Sequence, residues 1–228
     1  MSPRMSALQV IERGEPASVI GAADLCHPVT SRTPFTREGW LFELKQDGFR
    51  ALVRKAGTRV QLLSRQGRSL AAAFPEIVAA LASANGDAVL DGELVVPDAE
   101  GRSDFEELRR RSLLQRPRSI QRAAEQRPAL LVLFDILSLD GDDIRGRSLA
   151  ERRSVLEWFG LPGESLQVAQ SIETHGEALF REIVRHDQEG IVAKRLEAPY
   201  RAGRQATWVK IKNRDYSRRG AVEWQRHR

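Results

Sequence analysis

Two apolar runs, Trp40-Leu-Phe-Glu-Leu44 and Phe49-Arg-Ala-Leu-Val53, flank an Asp47-Gly48 break and read as a strand, a turn and a second strand. Thr58-Arg-Val-Gln-Leu-Leu-Ser64 closes an antiparallel meander through the turn at Gly57. Further strands are expected at Asp87–Val96, Ala129–Leu137, Leu166–Gln170, Gly190–Lys194 and Thr207–Lys212. Helical spacing runs over Phe74–Ala84, with Pro75 in its first turn, over Ser148–Phe159 and over His175–His186. Ser103-Asp-Phe-Glu106 reads as a capping box opening another helix, which carries Arg109-Arg-Arg111, with Arg116, Arg118 and Arg122 beyond. Residues 1–38, punctuated by Gly14, Pro16, Gly21, Pro28 and Pro34, read as an irregular lead-in. Residues 39–213 read as one domain and 214–228 as a basic tail with little apolar content. No repeats or low-complexity segments interrupt this order.

Composition narrows the class. Hydrophobic residues make up 41% and charged residues 29% of the 228, an ordinary soluble globular balance. No apolar run approaches the ~20 residues of a membrane span, and the N-terminus lacks the apolar core of a secretory signal. The single cysteine, Cys26, excludes an internal disulfide framework and a cysteine zinc cluster. These features together predict a cytoplasmic protein without membrane partners. A net charge of +5 and a pI near 9.9 favour a polyanionic partner.

One count changes the picture. Of 36 Lys plus Arg, only Lys45, Lys55, Lys194, Lys210 and Lys212 are lysines, leaving 31 arginines. A guanidinium stays protonated and cannot attack, whereas a lysine amine can be deprotonated and act as a nucleophile. Strand alternation puts Glu43 and Lys45 on one face, Asp91 and Glu93 on one face, and Lys210 and Lys212 opposite Val209 and Ile211. The strands thus present Glu43, Lys45, Glu93, Glu189, Lys194, Lys210 and Lys212, a cation-rich set with a few carboxylates. That set suits a nucleoside triphosphate with its magnesium. No Gly-x-x-x-x-Gly-Lys-Ser/Thr loop is present, which argues against an ordinary kinase or ATPase. Phe134 in its apolar run reads as core, Glu93 could pair with an arginine at a sheet edge, and Arg109–Arg122 read as a solvated helix face. The four histidines have no metal-ligand spacing.

Six motifs in order resemble those of the nucleotidyltransferase (adenylation) domain of ATP-dependent DNA ligases, of the bacterial ligase D type. They are Lys45-Gln-Asp-Gly-Phe-Arg50, Ser64-Arg65 with Gly67, Asp91-Gly-Glu93, Phe134-Asp135, Glu189-Gly-Ile-Val-Ala-Lys194 and Lys210-Ile-Lys212. The resemblance spans about residues 24–213. It implies an α+β fold of mainly antiparallel sheets packed face to face and flanked by helices, with the nucleotide in the cleft between them. It also implies that Lys45 attacks the α-phosphate of ATP to give a lysyl-AMP, and that AMP then passes to the 5′-phosphate of a nick in double-stranded DNA. By the same resemblance Glu43 reads the adenine edge, Phe134 stacks on the ring and Arg50 contacts the ribose. Lys194, Lys210 and Lys212 hold phosphates, Glu93 and Glu189 place Mg²⁺ (Mn²⁺ in its stead), and Ser64 and Arg65 engage the DNA. Family ligases continue into an oligonucleotide-binding (OB) barrel, for which the residues after Lys212 are too few. The expectation is therefore a stand-alone or truncated adenylation domain, with a protein supplying an OB domain, or end-joining factors, as partners. An RNA ligase, another covalent nucleotidyltransferase such as a capping guanylyltransferase, or a nucleotide-binding protein without turnover are the alternatives. Retention of both Lys45 and the carboxylates favours an enzyme.

Overall fold

Alternation along the last strand shows how the layers are built. In β11 (Gly203–Lys212), Val209 and Ile211 join an apolar cluster with Phe42, Ile183 and Ala193, while Trp208 points the other way onto Cys26, Leu52 and Tyr200. The computed structural model describes residues 20–217. In one sheet β11 lies between β1 (Cys26–Ser31), its parallel neighbour, and the antiparallel β10 (Gly190–Arg195), followed by β2 (Trp40–Leu44) and β9 (Ser171–Glu173). The second sheet has the order β4 (Arg59–Ser64), β3 (Phe49–Ala56), β5 (Ala88–Val95), β6 (Leu130–Leu139), β7 (Asp142–Asp143), with β8 (Leu166–Val168) parallel to β6. The expected α+β architecture of mainly antiparallel sheets is the one found.

Helices cover the outer faces. α1 (Pro75–Ser83), α2 (Phe105–Ser112), α3 (Pro117–Gln126) and α4 (Leu149–Phe159) accompany the β3–β5–β6 sheet, whose main core joins Ile77, Leu81, Leu108 and Leu156 to Val53, Leu90 and Leu133. α5 (Gly176–Arg185) packs Ile183, Leu179 and Phe180 on the other sheet. α4 opens with a reciprocal capping box between Ser148 and Glu151 and ends at Gly160 in the left-handed region. No helix among the described residues is long and apolar enough to cross a membrane.

Three expectations change. The lead-in is not irregular throughout, because Cys26–Ser31 forms β1. Pro28 is tolerated there because β1 is an edge strand, and the pairing with β11 shifts register between Pro28 and Val29. The rest of the lead-in, up to residue 19, and the basic tail from residue 218 lie outside the described residues. The cap of α2 is Asp104, whose side chain accepts from the Glu107 amide, while the Ser103 hydroxyl donates to Gln46. The arginine cluster is divided: Arg109 and Arg110 pair with Glu106 and Glu107 of their own helix, whereas Arg111 is buried against Glu76 and the Phe74 ring.

Two motif glycines are required by close approach. A Cβ on Gly48 would meet the Leu94 carbonyl oxygen. One on Gly190, where φ is 147°, would meet the Ile211 carbonyl oxygen. Both glycines bring the residues beside them up against the neighbouring strand.

Candidate active site

The two sheets diverge over a cleft lined by Glu43, Lys45, Arg50, Glu93, Phe134, Lys194, Trp208 and Lys210, with Pro28, Gln46, Val132, Ala169 and Val192 completing the wall. Each sheet contributes through alternation: Glu43, Lys194, Trp208 and Lys210 from one, Arg50, Glu93 and Phe134 from the other. Most of the residues singled out in the sequence therefore converge.

Lys45 stands where β2 ends, its amide bonded to the Gly190 carbonyl. Its Nζ donates to Glu189 Oε2 at 2.7 Å, and Lys212 Nζ lies 3.2 Å from Glu189 Oε1. Glu189 thus clamps two lysines at the cleft mouth. Lys210 has no ion-pair partner among the described residues. Burial, then the neighbouring Lys212, Lys45 and Arg65, lower its pKa, which is what a seat for an anion looks like before the anion arrives.

Glu43 lies deeper and is almost fully buried. Its Oε1 accepts from Arg153 Nη1 at 2.6 Å and its Oε2 lies 2.6 Å from Lys194 Nζ. Burial still raises the Glu43 pKa against these two cations, and burial lowers that of Lys194. Lys194 Nζ also sits 4.1 Å from the Phe134 ring centroid and 4.2 Å from that of Trp208. Phe134 is consequently not plain core: it is half-buried, faces the cleft and carries the Arg50 guanidinium 4.7 Å from its centroid.

Arg50, expected at the ribose, lines the cleft and is held from behind. Its Nε and Nη2 each donate to Asp91 at 2.5 Å, Nη2 reaches the Cys26 carbonyl, and Tyr200 donates to the same carboxylate. The guanidinium is fixed as a wall of the cleft. Glu93 stands opposite Arg50 in the β3–β5 pairing. Burial pushes its carboxyl up to about 7, with Asp91 and Glu189 adding repulsion and Arg50 and Lys45 opposing it.

The set of donors tests the expected metal. Among the described residues no group of three or more His, Cys, Asp or Glu could form a protein-only cage. Glu93 and Glu189 offer hard oxygen donors at the cleft, which suits Mg²⁺, an ion that keeps waters and binds through one or two carboxylates plus phosphate oxygens. The residues fit a metal that enters with a nucleotide. Ser64 and Arg65 lie off the cleft wall: the Ser64 hydroxyl accepts from the Arg68 amide within its turn, and Arg65 is exposed, near enough to Lys210 and His27 to depress both.

Arg153 and Trp208 were not foreseen as site residues. Trp208 could have been found from its place two residues before Lys210. Arg153 could have been found from helical spacing, since Arg152 and Arg153 fall on the face that Leu149 and Leu156 bury.

A family model for the ATP dependent DNA ligase domain matches residues 23–212. The chain is 33% identical over 203 residues to the bifunctional non-homologous end joining protein LigD of Bacillus subtilis, covering 82% of this chain and 33% of that protein. It is 37% identical over 166 residues to DNA ligase C2 of Mycolicibacterium smegmatis, covering 71% and 46% respectively. A solved structure of mycobacterial DNA ligase D complexed with ATP and MES superposes with a TM-score of 0.65 at 31% identity, covering 83% of this chain and 60% of that one. The chain therefore spans between a third and a half of these curated relatives. A match over nearly all of the described residues makes this chain a member of the ATP-dependent DNA ligase domain family.

Proposed function

We propose that this domain is the adenylating unit of an ATP-dependent DNA ligase. Lys45 Nζ, once deprotonated and released from Glu189, attacks the α-phosphorus of ATP. The bond to the bridging oxygen breaks, pyrophosphate leaves, and a phosphoramidate to AMP remains on Lys45. AMP then passes to the 5′-phosphate of a nick in double-stranded DNA, and the 3′-hydroxyl displaces it. Glu93 and Glu189 would hold Mg²⁺, or Mn²⁺, which when bound would supply charge neutralisation at the phosphates. Lys210 and Lys212 receive the phosphates at the mouth, and Lys194 with Phe134 lies at the base end. Ser64 and Arg65 sit on the side where the 5′-phosphate strand would approach. The activity belongs with chromosomal DNA in the cytoplasm. Complete sealing calls for an OB domain, from the same protein or a partner, and end-joining factors are fitting company.

The observation that carries this reading is Lys45 at the mouth of the cleft, 2.7 Å from Glu189 and near Lys210, which has no ion-pair partner among the described residues. The test is the intact mass of the purified protein with ATP and Mg²⁺, with ATP and EDTA, and without ATP. Gain of one adenylate only in the first case is the expected result; no adduct in any of them overturns the proposal.

A further inference from the structure

We infer that Arg153 is a positioning residue that sets base selectivity, holding the Glu43 carboxylate as a fixed acceptor so that the closed end of the cleft takes adenine rather than guanine. The inference rests on the reading of the cleft as an ATP site. Arg153 itself does not line the nucleotide cleft but borders a neighbouring groove, so it acts through what it holds.

What it holds is specific. Nη1 donates to Glu43 Oε1 at 2.6 Å, and Nη2 donates to the Ala169 carbonyl at 2.9 Å and to the Ser171 hydroxyl at 3.1 Å. Ala169 lies between β8, which belongs to one sheet, and β9, which belongs to the other. One guanidinium on α4 therefore pins β2 to the point where the chain crosses between sheets. Glu43 and Ala169 both line the cleft, so the pinned atoms belong to its wall. Only a planar fork reaches all three hydrogen-bond partners, with the exposed Glu157 carboxylate a further 3.9 Å from Nη2. A lysine at this position could hold one or two of them.

The chemistry of the fixed acceptor follows. Glu43 keeps further lone pairs after its bonds to Arg153 and Lys194. Adenine presents an exocyclic amino donor at its six-position, which such an acceptor satisfies. Guanine presents an oxygen there, which would face a buried carboxylate without a proton between them. A site built to bond a donor rejects the analogue that lacks it much more strongly than an apolar pocket rejects a missing methylene.

The test compares self-adenylylation of the full chain with ATP and with purine riboside triphosphate, which lacks only the six-amino group, measuring kcat/KM for the single covalent turnover. Wild type should favour ATP by roughly 10- to 100-fold, the size of one hydrogen bond to a charged group. In Arg153→Met the preference should collapse toward unity, through loss of ATP use rather than gain with the analogue, and GTP discrimination should relax with it. Arg153→Lys should fall between the two, and it keeps the test open should Arg153→Met fail to fold. If both nucleotides lose equally in either folded variant, so that their ratio stays at the wild-type value, Arg153 is only a structural brace and the inference is overturned. A wild-type chain that takes adenylate from neither nucleotide overturns the ATP-site reading itself, an outcome distinct from an unchanged ratio.

Discussion

Replacing Glu93 by Gln should stabilise the metal-free protein at alkaline pH while removing its function. Glu93 sits in the cleft wall with Asp91 and Glu189 as like-charged neighbours, and burial holds its carboxyl near 7 against 4.5 for an ordinary glutamate. Because the folded pKa lies above the unfolded one, the folded state binds more protons between those values. Stability is fully present below about pH 4.5, falls as pH rises toward about 7, and stays low beyond. The full interval corresponds to roughly 3 kcal/mol. Solvent reaches part of the side chain and trims this to about 1–2 kcal/mol, or roughly 2–8 °C in Tm for a domain of this size. Gln keeps the shape without the charge. Thermal melts of wild type and Glu93→Gln in EDTA should therefore diverge at about pH 8, with the variant the more stable, and converge at about pH 5. Adenylylation by the variant should drop roughly 100-fold or more. A variant that melts lower than wild type at the alkaline pH, or a difference that does not change with pH, would refute the claim that the ionised carboxylate is a burden on the fold.

Lys45→Arg should take no label from α-labelled ATP, as should Lys45→Ala, because a guanidinium keeps its charge but cannot attack; covalent labelling of the Arg variant would move the nucleophile elsewhere. Gly190→Ala should cost more than about 2 kcal/mol by urea unfolding, since its Cβ collides with the Ile211 carbonyl at a φ of 147°; a neutral effect would mean the β10–β11 approach is softer than drawn. Binding to nicked DNA should weaken steeply with potassium chloride, at about −0.9 in log–log slope per phosphate neutralised. Self-adenylylation, whose nucleotide is also held at the buried Glu43–Lys194 end of the cleft, should decline far less in the same titration, and parallel decline would count against two separate sites.

The sequence made the strands that carry the chemistry legible because their signals are local. Lys45, Glu93 and Lys210 each sit on a short apolar run broken by a charge at alternating positions, and Gly48 and Gly190 mark the tight approaches. What stayed hidden depends on distant partners. Pro28 looked like a breaker, and only the edge position of β1 beside β11 makes it a strand residue. Arg111 and Arg153 do not differ from the other arginines by type, and helical spacing marks Arg153 as buried without naming what it holds. Their burial against Glu76 and Glu43 decides their role, and those partners lie 35 and 110 residues away. The solvated helix face expected of the arginine cluster holds for Arg109 and Arg110, which Glu106 and Glu107 answer one turn away, and not for Arg111.

The ion pairs of the cleft fall into two kinds, and the difference assigns each end of the cleft its task. At the mouth, Lys45 and Lys212 are 22% and 55% exposed while sharing Glu189. Lys212 is wet enough for its pair to be worth about 0–1 kcal/mol, whereas Lys45 and Glu189, at 22% and 11%, are partly shielded, so Glu189 gives up Lys212 more readily than Lys45. In the interior, Glu43 and Lys194 are 4% and 1% exposed, with Arg153 completing the group at 7%. Removing one member there would strand a buried charge at a cost of about 3–5 kcal/mol, so these contacts persist whatever binds. Arg50, bonded twice to a fully buried Asp91, belongs with the interior set. On the proposed reading of the cleft as an ATP site, the phosphate end would be the more adaptable and the base end would be set before the ligand enters. Selectivity would then belong to the rigid end and reactivity to the adaptable one, so a substitution at Arg153 should alter which nucleotide is chosen and one at Lys45 whether any is used.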